Sequence, residues 1–366
     1  MHPELSFEEH ETSRWVAAQL SAAGIPFTNP VGTSLIATVD GRSPGRTVAL
    51  RADMDALPIE EANDVAYRSQ RPGVSHACGH DGHTAMLLAA ARVLMTVRDS
   101  FVGRVQLIFQ SGEERPPGGA APLIAAGVLE GVDQVFALHL IGGLPAGSAR
   151  IRAGVAGASV DEFEAVIHGR GGHAARPHLA VDATLIAATC VVNLQTIVAR
   201  RVGPLDSAVI TVGSLHAGTA RNVIAGEARI AGTVRALTAE VRDTLQREVE
   251  RVFESTCAAL AGSCTLSYER GYPCLVNHAA EVAVARRVAE SVLGAEHVAE
   301  HLPSLGGEDF AYFLEHRPGA FLQLGASDAR RAPSPNHSAT FDIDESVLPI
   351  GAEILVETAL AFLSRA

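Results

Sequence analysis

Along the first 150 residues, short apolar segments typical of buried strands alternate with segments typical of helices. The strand-like segments are residues 47–50, 105–109 and 135–140. The helix-like segments are residues 82–97, with Asp81 as a suitable N-cap, and residues 123–129. Because alternating strands and helices form βαβ units, we expect an α/β fold with a mostly parallel sheet and helices on both faces.

The pattern changes between residues 157 and 270, which indicates a second domain. Its strand-like segments are residues 159–168, 208–215, 227–235 and 264–268, and its helix-like segments are residues 179–199 and 238–260. This order is typical of a ferredoxin-like α+β unit. The first pattern resumes with a helix over 279–293, a strand over 320–324 and a helix that ends at Arg365. We therefore predict a body of residues 1–156 and 271–366, with residues 157–270 inserted.

The charge balance argues against one class of partner. The 366 residues include 29 Lys and Arg against 41 Asp and Glu, a net charge of −12, whereas sequence-independent nucleic-acid binding needs a basic surface. The longest apolar stretch, residues 84–97, contains Arg92 and is too short to span a bilayer. The acidic start lacks signal-peptide features, and five cysteines do not suit a disulfide framework. We expect a cytoplasmic protein without nucleic-acid or membrane partners.

Residues 76–83 (HACGHDGH) are the strongest local indication of a functional site. Cys78 and His80 lie two positions apart in a loop just before a predicted helix. At this spacing a thiolate and an imidazole can reach the same metal ion. The alternative is a glycine-rich turn with buried histidines, since short Cys/His clusters often occur without a metal.

Further polar residues follow the predicted strands. Glu113 and Glu114 come after the strand that ends at residue 109, and His139 lies at the end of the next strand. Two adjacent carboxylates can divide their roles, one binding a metal ion while the other takes a proton from water. Taken singly, the pair could be a solvated turn, and His139 or the distant His337 a core or loop histidine. Together they predict a metal site.

Seven motifs spread over essentially the whole chain resemble the M20 metallopeptidases. They are HPELSFEE (2–9), RADMDALP (51–58), ACGHDGH (77–83), GGHAARPH (171–178), GGEDF (306–310), NHS (336–338) and FDIDE (341–345). Within that family they resemble the amidohydrolase subgroup of hippurate hydrolases, N-acyl-amino-acid hydrolases and auxin-conjugate hydrolases. Members usually carry a further stretch before the first motif, but here Met1 directly precedes His2, so we expect a shortened first helix.

The resemblance implies a centre with two divalent metal ions and a glutamate base. Its implied ligands are Cys78, His80, Glu114, His139 and His337, and its general base is Glu113. The wider family often has His at the position of Arg51 and a bridging Asp, so the Cys78 thiolate is a candidate bridge. Mixed sulfur, nitrogen and oxygen ligands suit Zn²⁺ or Mn²⁺, with Ni²⁺ or Co²⁺ also acceptable.

The resemblance also gives the inserted domain a role as a lid or dimerisation domain. His173 is the implied oxyanion donor, which reaches the metals from a neighbouring subunit of a homodimer or after lid closure. Asn222 and Arg235 would hold a substrate carboxylate, because an amide and a guanidinium fork suit that group. The alternatives are a loop histidine for His173 and a solvated strand end for Arg235. Position 225 is Ala where the family commonly has Pro.

Other polar residues receive supporting roles or none. We assign His83, Asp53 and Asp81 to structure or to orienting metal-bound imidazoles. We assign no catalytic role to the remaining polar residues of the motifs, namely Asp55, His76, His178, Glu308 and Asp309.

The function expected from the resemblance is metal-dependent cleavage of an N-acyl amino acid into a carboxylic acid and an amino acid. One alternative is a dipeptidase or carboxypeptidase that uses the same metals. A second is a non-catalytic descendant that keeps the fold for binding, against which the presence of Glu113 and all five ligands argues.

Overall fold

The computed structural model describes residues 1–328 and 334–364. Over these residues the α-helices are α1 (His10–Ala22), α2 (His80–Thr96), α3 (Ala120–Ala125), α4 (Ala183–Arg201), α5 (Ala239–Ala259), α6 (Ala279–Leu293), α7 (Phe310–His316) and α8 (Val347–Leu363). The predicted end of the last helix at Arg365 lies outside the described residues.

The strands take up most of the remaining ordered chain. In chain order they are β1 (Phe27–Thr28), β2 (Leu35–Asp40), β3 (Thr47–Asp53), β4 (Arg104–Gln110), β5 (Gln134–Pro145), β6 (Ala149–Arg150), β7 (Gly154–Gly157), β8 (Ser159–His168), β9 (Gly172–His173), β10 (Ala208–Ala217), β11 (Val223–Ile224), β12 (Glu227–Ala236), β13 (Ser263–Arg270), β14 (Leu275–Asn277), β15 (Val298–Ala299) and β16 (Gly319–Ser327).

The chain divides into two compact units. Unit 1 consists of Met1–Ala156, Val276–Leu302 and Asp309–Ala366. Unit 2 consists of Gly157–Leu275 and Pro303–Glu308. The short strands β7 and β14 pair where the chain passes from one unit to the other.

Unit 1 contains an eight-stranded sheet in the order β1-β2-β4-β3-β5-β16-β6-β15. The four central strands β4, β3, β5 and β16 are parallel to one another. On either side, β2 runs antiparallel to β4 and β6 runs antiparallel to β16. The prediction of an α/β fold with a mostly parallel sheet is thus confirmed. Since parallel strands end at the same edge, residues that follow β3, β4 and β5 come close together there.

Alternate residues of β3 face the two sides of this sheet. Val48, Leu50 and Ala52 belong to the core that α1, α2, α6 and α8 share. Arg51 points to the other side, where its Nη2 atom lies 2.7 Å from Oδ1 of Asp309, just before α7. Helices therefore cover both faces, which explains why β3 is buried along nearly its whole length.

The main differences from the predicted elements lie at helix starts. The N-cap of α2 is Gly79, in a left-handed conformation with φ 89°, and not Asp81, whose carboxylate accepts from the backbone N–H of Gly82. Helix α4 begins at Ala183 instead of residue 179, because the Asp182 carboxylate caps the N–H groups of Thr184 and Leu185. Each start depends on one side-chain contact or one glycine, which periodicity does not reveal.

Unit 2 is built on the antiparallel sheet β10-β12-β8-β13. Along the chain its main elements follow as strand, helix, two strands, helix, strand. Helices α4 and α5 pack on this sheet through a separate apolar core. By length and composition alone α4 could cross a membrane, but its Ile186, Leu194 and Ile197 are fully buried in that core, as in a core helix of a globular unit.

Candidate metal centre

The loop before α2 brings Cys78 and His80 into the interior of unit 1. Gly79 between them has a positive φ that suits glycine. A Cβ atom at this position would lie 3.3 Å from Leu140 Cβ and 3.3 Å from Phe341 Cζ. The start of α2 therefore packs closely against β5 and against the segment before α8. Cys78 and His80 are both buried.

All five predicted metal ligands and Glu113 lie in one cluster. Three overlapping groups each have their potential ligand atoms within 4.8 Å of one another: Cys78, His80 and His139; Cys78, Glu114 and His337; and His80, Glu113 and Glu114. The groups share members, so the six side chains surround one place at the carboxyl edge of the central strands. We call these six residues the cluster.

Several distances inside the cluster suit a bound cation. Cys78 Sγ lies 3.5 Å from His139 Nε2, and His337 Nε2 lies 3.0 Å from Glu114 Oε1. The buried Nε2 atom of His80 has no hydrogen-bond partner among the residues that the structure describes. An unpaired buried nitrogen is costly, and a metal ion is a natural partner for it. Thiol, imidazole and carboxylate donors together suit Zn²⁺ and similar divalent ions.

The residues behind the cluster orient its histidines. Nδ1 of His139 bonds to the Leu140 carbonyl at 2.9 Å, which turns Nε2 towards Cys78. Both nitrogens of His83 are already used, because Nδ1 pairs with Asp53 at 2.5 Å and Nε2 accepts from Leu140 N–H at 2.8 Å. His83 and Asp53 therefore have the supporting positions expected of them.

Asp55 is a residue of the site that the sequence analysis missed. It is buried, and its Oδ1 atom lies 3.2 Å from His80 Nδ1. Its Oδ2 atom accepts from the Glu114 backbone N–H at 2.9 Å and from the Ser6 hydroxyl at 2.7 Å. One carboxylate thus orients two residues of the cluster. The pairing of an acid with a histidine further along the chain could have suggested this role, but only the fold identifies the partners.

We expect Asp55→Asn to weaken binding of divalent metal by about 10- to 100-fold, because a carboxylate that orients a metal-bound histidine typically has an effect of that size. The amide keeps the size of the side chain, but when its oxygen accepts from Glu114 N–H and Ser6 it presents an NH₂ group, and not an acceptor, to His80 Nδ1. Chelator-competition titration with Zn²⁺ measures the change. The matched control is Asp81→Asn, because Asp81 is exposed and bonds to its own neighbour Gly82. Equal affinities in the two variants would contradict the role of Asp55.

A buried arginine balances the acidic groups on this side of the sheet. Arg51 donates to Asp53 at 2.7 Å, to Asp309 at 2.7 Å and to Gln110 at 3.0 Å. Burial alone would raise the pKa of Asp53, but Arg51 and the neighbouring histidines hold that pKa well below its usual range. The buried acid is therefore ionised, as an acceptor for His83 must be.

Burial also controls the protonation of the cluster. It raises the pKa of the Cys78 thiol to about 12 and depresses the pKa of His139 well below its usual value. His139 is thus the neutral imidazole that binds metals, while Cys78 keeps its proton until a cation stabilises the thiolate. Burial opposes a charge on His80 as well, but Asp53 raises its pKa well above the usual value. Cation binding at this place therefore displaces protons.

His173 and Asn222 lie together in unit 2. His173 is exposed in β9, opposite Val223 of β11. The N–H of the next residue, Ala174, donates to the carbonyl of Asn222 at 3.1 Å. Nδ1 of His173 accepts from Ala175 N–H at 3.1 Å. His173 and Asn222 are therefore neighbours along the backbone of unit 2.

Arg235 lies away from that pair. It is near the end of β12, opposite Val160 of β8, whereas Asn222 lies before the start of β12 at Glu227. Eight residues of extended strand span about 26 Å. Within a single copy of unit 2, the length of β12 therefore lies between Asn222 and Arg235.

Comparison with known proteins gives consistent matches. The model of peptidase family M20/M25/M40 matches residues 49–361. The N-acyl-L-amino acid amidohydrolase of Geobacillus stearothermophilus is 44% identical over 278 residues, which cover 76% of this chain and 75% of that protein. Thermostable carboxypeptidase 2 of Saccharolobus solfataricus is 39% identical over 369 residues, 100% of this chain and 93% of that protein.

A solved structure also matches along the whole chain. The Bacillus subtilis YXEP protein, a dinuclear metal-binding peptidase of the M20 family, superimposes with a TM-score of 0.86 at 32% sequence identity. The match covers 100% of this chain and 95% of that one. Both units thus follow a known arrangement of elements.

Proposed function

Because the chain belongs to peptidase family M20/M25/M40 and is a hydrolase of carbon–nitrogen bonds, we propose that it cleaves N-acyl amino acids, of which hippurate is an example, into a carboxylic acid and an amino acid. The observation that carries this proposal is the cluster, which combines five metal-binding side chains with a sixth, Glu113, that can serve as a base. We place the reaction in the cytoplasm.

In this proposal Cys78, His80, Glu114, His139 and His337 hold two divalent ions, Mn²⁺ or Zn²⁺. When bound, the ions would polarise the amide carbonyl and lower the pKa of a water molecule. Cys78 belongs both to the group with His139 and to the group with Glu114 and His337. Cys78 would therefore be available as a ligand to either ion.

Glu113 is the proposed general base. Its side chain is buried, and a carboxylate oxygen lies within 4.8 Å of ligand atoms of His80 and Glu114. The Asp309 backbone N–H points at Oε1 of Glu113 from 3.4 Å and helps to fix the carboxylate. From this position Glu113 takes the proton of the attacking water and then gives it to the nitrogen of the leaving amino acid.

The residues of unit 2 supply the remaining functions in this proposal. His173 stabilises the oxyanion that forms on the amide carbonyl, and Asn222 and Arg235 bind the substrate carboxylate. Since Asn222 and Arg235 flank opposite ends of β12, one site takes His173 and Asn222 from one subunit and Arg235 from the other. This proposal makes the protein a homodimer formed through unit 2.

Mixed dimers test this arrangement. We expect His173→Ala to lower kcat by about 10²–10³-fold, as for the loss of an oxyanion donor, and Arg235→Ala to raise KM strongly. Co-expression of the two variants with different tags gives a dimer in which one site has both residues intact. That dimer should recover up to half of the wild-type activity. A mixed dimer as inactive as its parents would instead show that both residues act within one subunit.

The substrate class is tested by turnover of a panel. The protein is loaded with Mn²⁺ or Zn²⁺ and offered hippurate, other N-acyl amino acids and dipeptides, with Glu113→Gln as control. We expect the acyl amino acids to be cleaved fastest. The 39% identity with a carboxypeptidase supports a second candidate, and faster cleavage of peptides would favour it. Inactivity on the whole panel would favour a binding protein that has lost catalysis.

A further inference from the structure

The side chain of Asn336 connects two parts of unit 1 that carry cluster residues. Its Nδ2 atom donates to the Cys78 carbonyl at 3.1 Å and to the Leu140 carbonyl at 3.0 Å. Its Oδ1 atom accepts from the Gly142 N–H at 3.0 Å. One amide therefore joins the loop before α2 to the end of β5.

The groups that Asn336 contacts belong to the cluster or hold it. Cys78 is a member, and Nδ2 of Asn336 also lies 3.7 Å from its Sγ atom. The Leu140 carbonyl is the same one that bonds to Nδ1 of His139. Asn336 thus sets the distance between the thiol and the carbonyl that orients His139.

The next residue, His337, is a cluster member held by the same loop. Its backbone N–H donates to the Ala77 carbonyl at 2.7 Å. Its backbone is left-handed, with φ 65°, a conformation that surrounding contacts must stabilise in a residue other than glycine. Asn336 and His337 together therefore bind the Ala77–Cys78 backbone at two adjacent carbonyls.

The segment that carries Asn336 and His337 packs closely against β5, so its backbone has little room to move. A Cβ atom at Gly142 would collide with the Ser334 carbonyl and with the Phe341 ring. Without the Asn336 amide, the carbonyls of Cys78 and Leu140 and the N–H of Gly142 would each lose a partner in this tightly packed place.

We propose that Asn336 is the positioning residue of the metal centre, which holds Cys78, His139 and His337 at their ligand spacing before a metal ion binds. Its amide oxygen and nitrogen are both committed to backbone groups, so Asn336 acts through the ligands and does not coordinate a metal itself. The inference rests on the metal site in the proposed function and is independent of the substrate.

The experiment is a Co²⁺ titration of the metal-free protein. A thiolate–Co²⁺ charge-transfer band in the near ultraviolet reports ligation by Cys78, and chelator competition gives the Kd. The variants are Asn336→Leu, which keeps most of the side-chain volume, and Asn336→Ala. The matched control is Asn63→Leu, because the Asn63 amide donates to the Phe341 carbonyl at 2.8 Å, on the same segment but without a hydrogen bond to a cluster residue.

We expect both Asn336 variants to bind Co²⁺ about 10- to 100-fold more weakly than wild type and to show a shifted or weaker thiolate band. The Asn63→Leu control should match wild type in Co²⁺ affinity and in the thiolate band. Equal far-ultraviolet circular dichroism in all variants shows that each one folds. Affinities and bands in the Asn336 variants equal to those of Asn63→Leu would overturn the inference. A wild-type complex without a thiolate band would overturn it by removing Cys78 from the metal centre. Turnover is not measured, so failure of the proposed substrate class leaves this result unaffected.

Discussion

Glu113→Gln lowers kcat for hydrolysis of an N-acyl amino acid by about 10²–10⁴-fold, the range expected for loss of a positioned general base. The amide has nearly the same size as the carboxylate and can still accept from the Asp309 N–H that points at Oε1. It cannot take a proton from water at neutral pH. Release of free amino acid under saturating substrate measures the effect, and KM should change little because the substrate contacts are untouched.

The neighbouring residue provides the control for Glu113. Glu114→Gln removes a proposed metal ligand, so its main effect should be loss of bound metal and only partial recovery of activity at high metal concentration. Glu113→Gln should keep wild-type metal content when the two ions are counted by mass spectrometry. If Glu113→Gln also lost metal, or if it kept more than about one tenth of wild-type kcat, Glu113 would not be the base.

Cys78→Ala should weaken metal binding by more than about 100-fold, because even residues that only orient a ligand contribute 10- to 100-fold. The substitution removes the one donor shared by the two ligand groups that contain His139 and His337. Metal content after dialysis gives the first measure. The second is thermal stability, because a ligand that binds the folded state raises the unfolding temperature, and this rise with added Zn²⁺ should disappear.

Cys274→Ala is the control for a general effect of thiol loss. Cys274 is half-buried in unit 2, where its Sγ atom donates to the Ala236 carbonyl. This variant should keep both metal ions and the stabilisation by Zn²⁺. Retention of two ions per chain in Cys78→Ala would contradict both the ligand role and the bridging role of Cys78.

Elements with strong periodicity were predictable from the sequence. Helix α6 occupies the predicted residues, Ala279–Leu293, and the central strands lie where the apolar segments indicate. The antiparallel strands β2 and β6 beside the parallel centre were not predicted, because their direction depends on pairing with distant segments. The start of α2 was misplaced because a left-handed Gly79, and not the polar Asp81, precedes its first turn.

The cluster was predictable for a different reason. Residues that follow neighbouring parallel strands meet at one edge of the sheet, so Glu113, Glu114 and His139 could be grouped without coordinates. The resemblance to the M20 metallopeptidases supplied the rest of the ligand set, including Cys78. The contributions of Asp55 and Asn336 were not predictable, because they depend on hydrogen bonds such as the one between Asn336 and Cys78, which are 258 positions apart. Such partners become visible only in the folded chain.

The separation of Asn222 from Arg235 follows from the length of a strand that the sequence already predicts. The predicted strand over residues 227–235 already spaces the two residues along an extended segment. A carboxylate shared by the two residues is therefore proposed between two subunits and not within one.

The distribution of the cluster along the chain has a consequence for biosynthesis. His337 follows His139 by about 200 residues, which a ribosome takes about 10–40 s to add. During this interval a nascent polypeptide can present Cys78, His80, Glu114 and His139, but it contains neither His337 nor Asn336. Complete loading of the proposed centre therefore cannot precede the synthesis of His337. The cations available from that moment onwards, and not those present while His139 is being added, are the ones that can fill the complete ligand set.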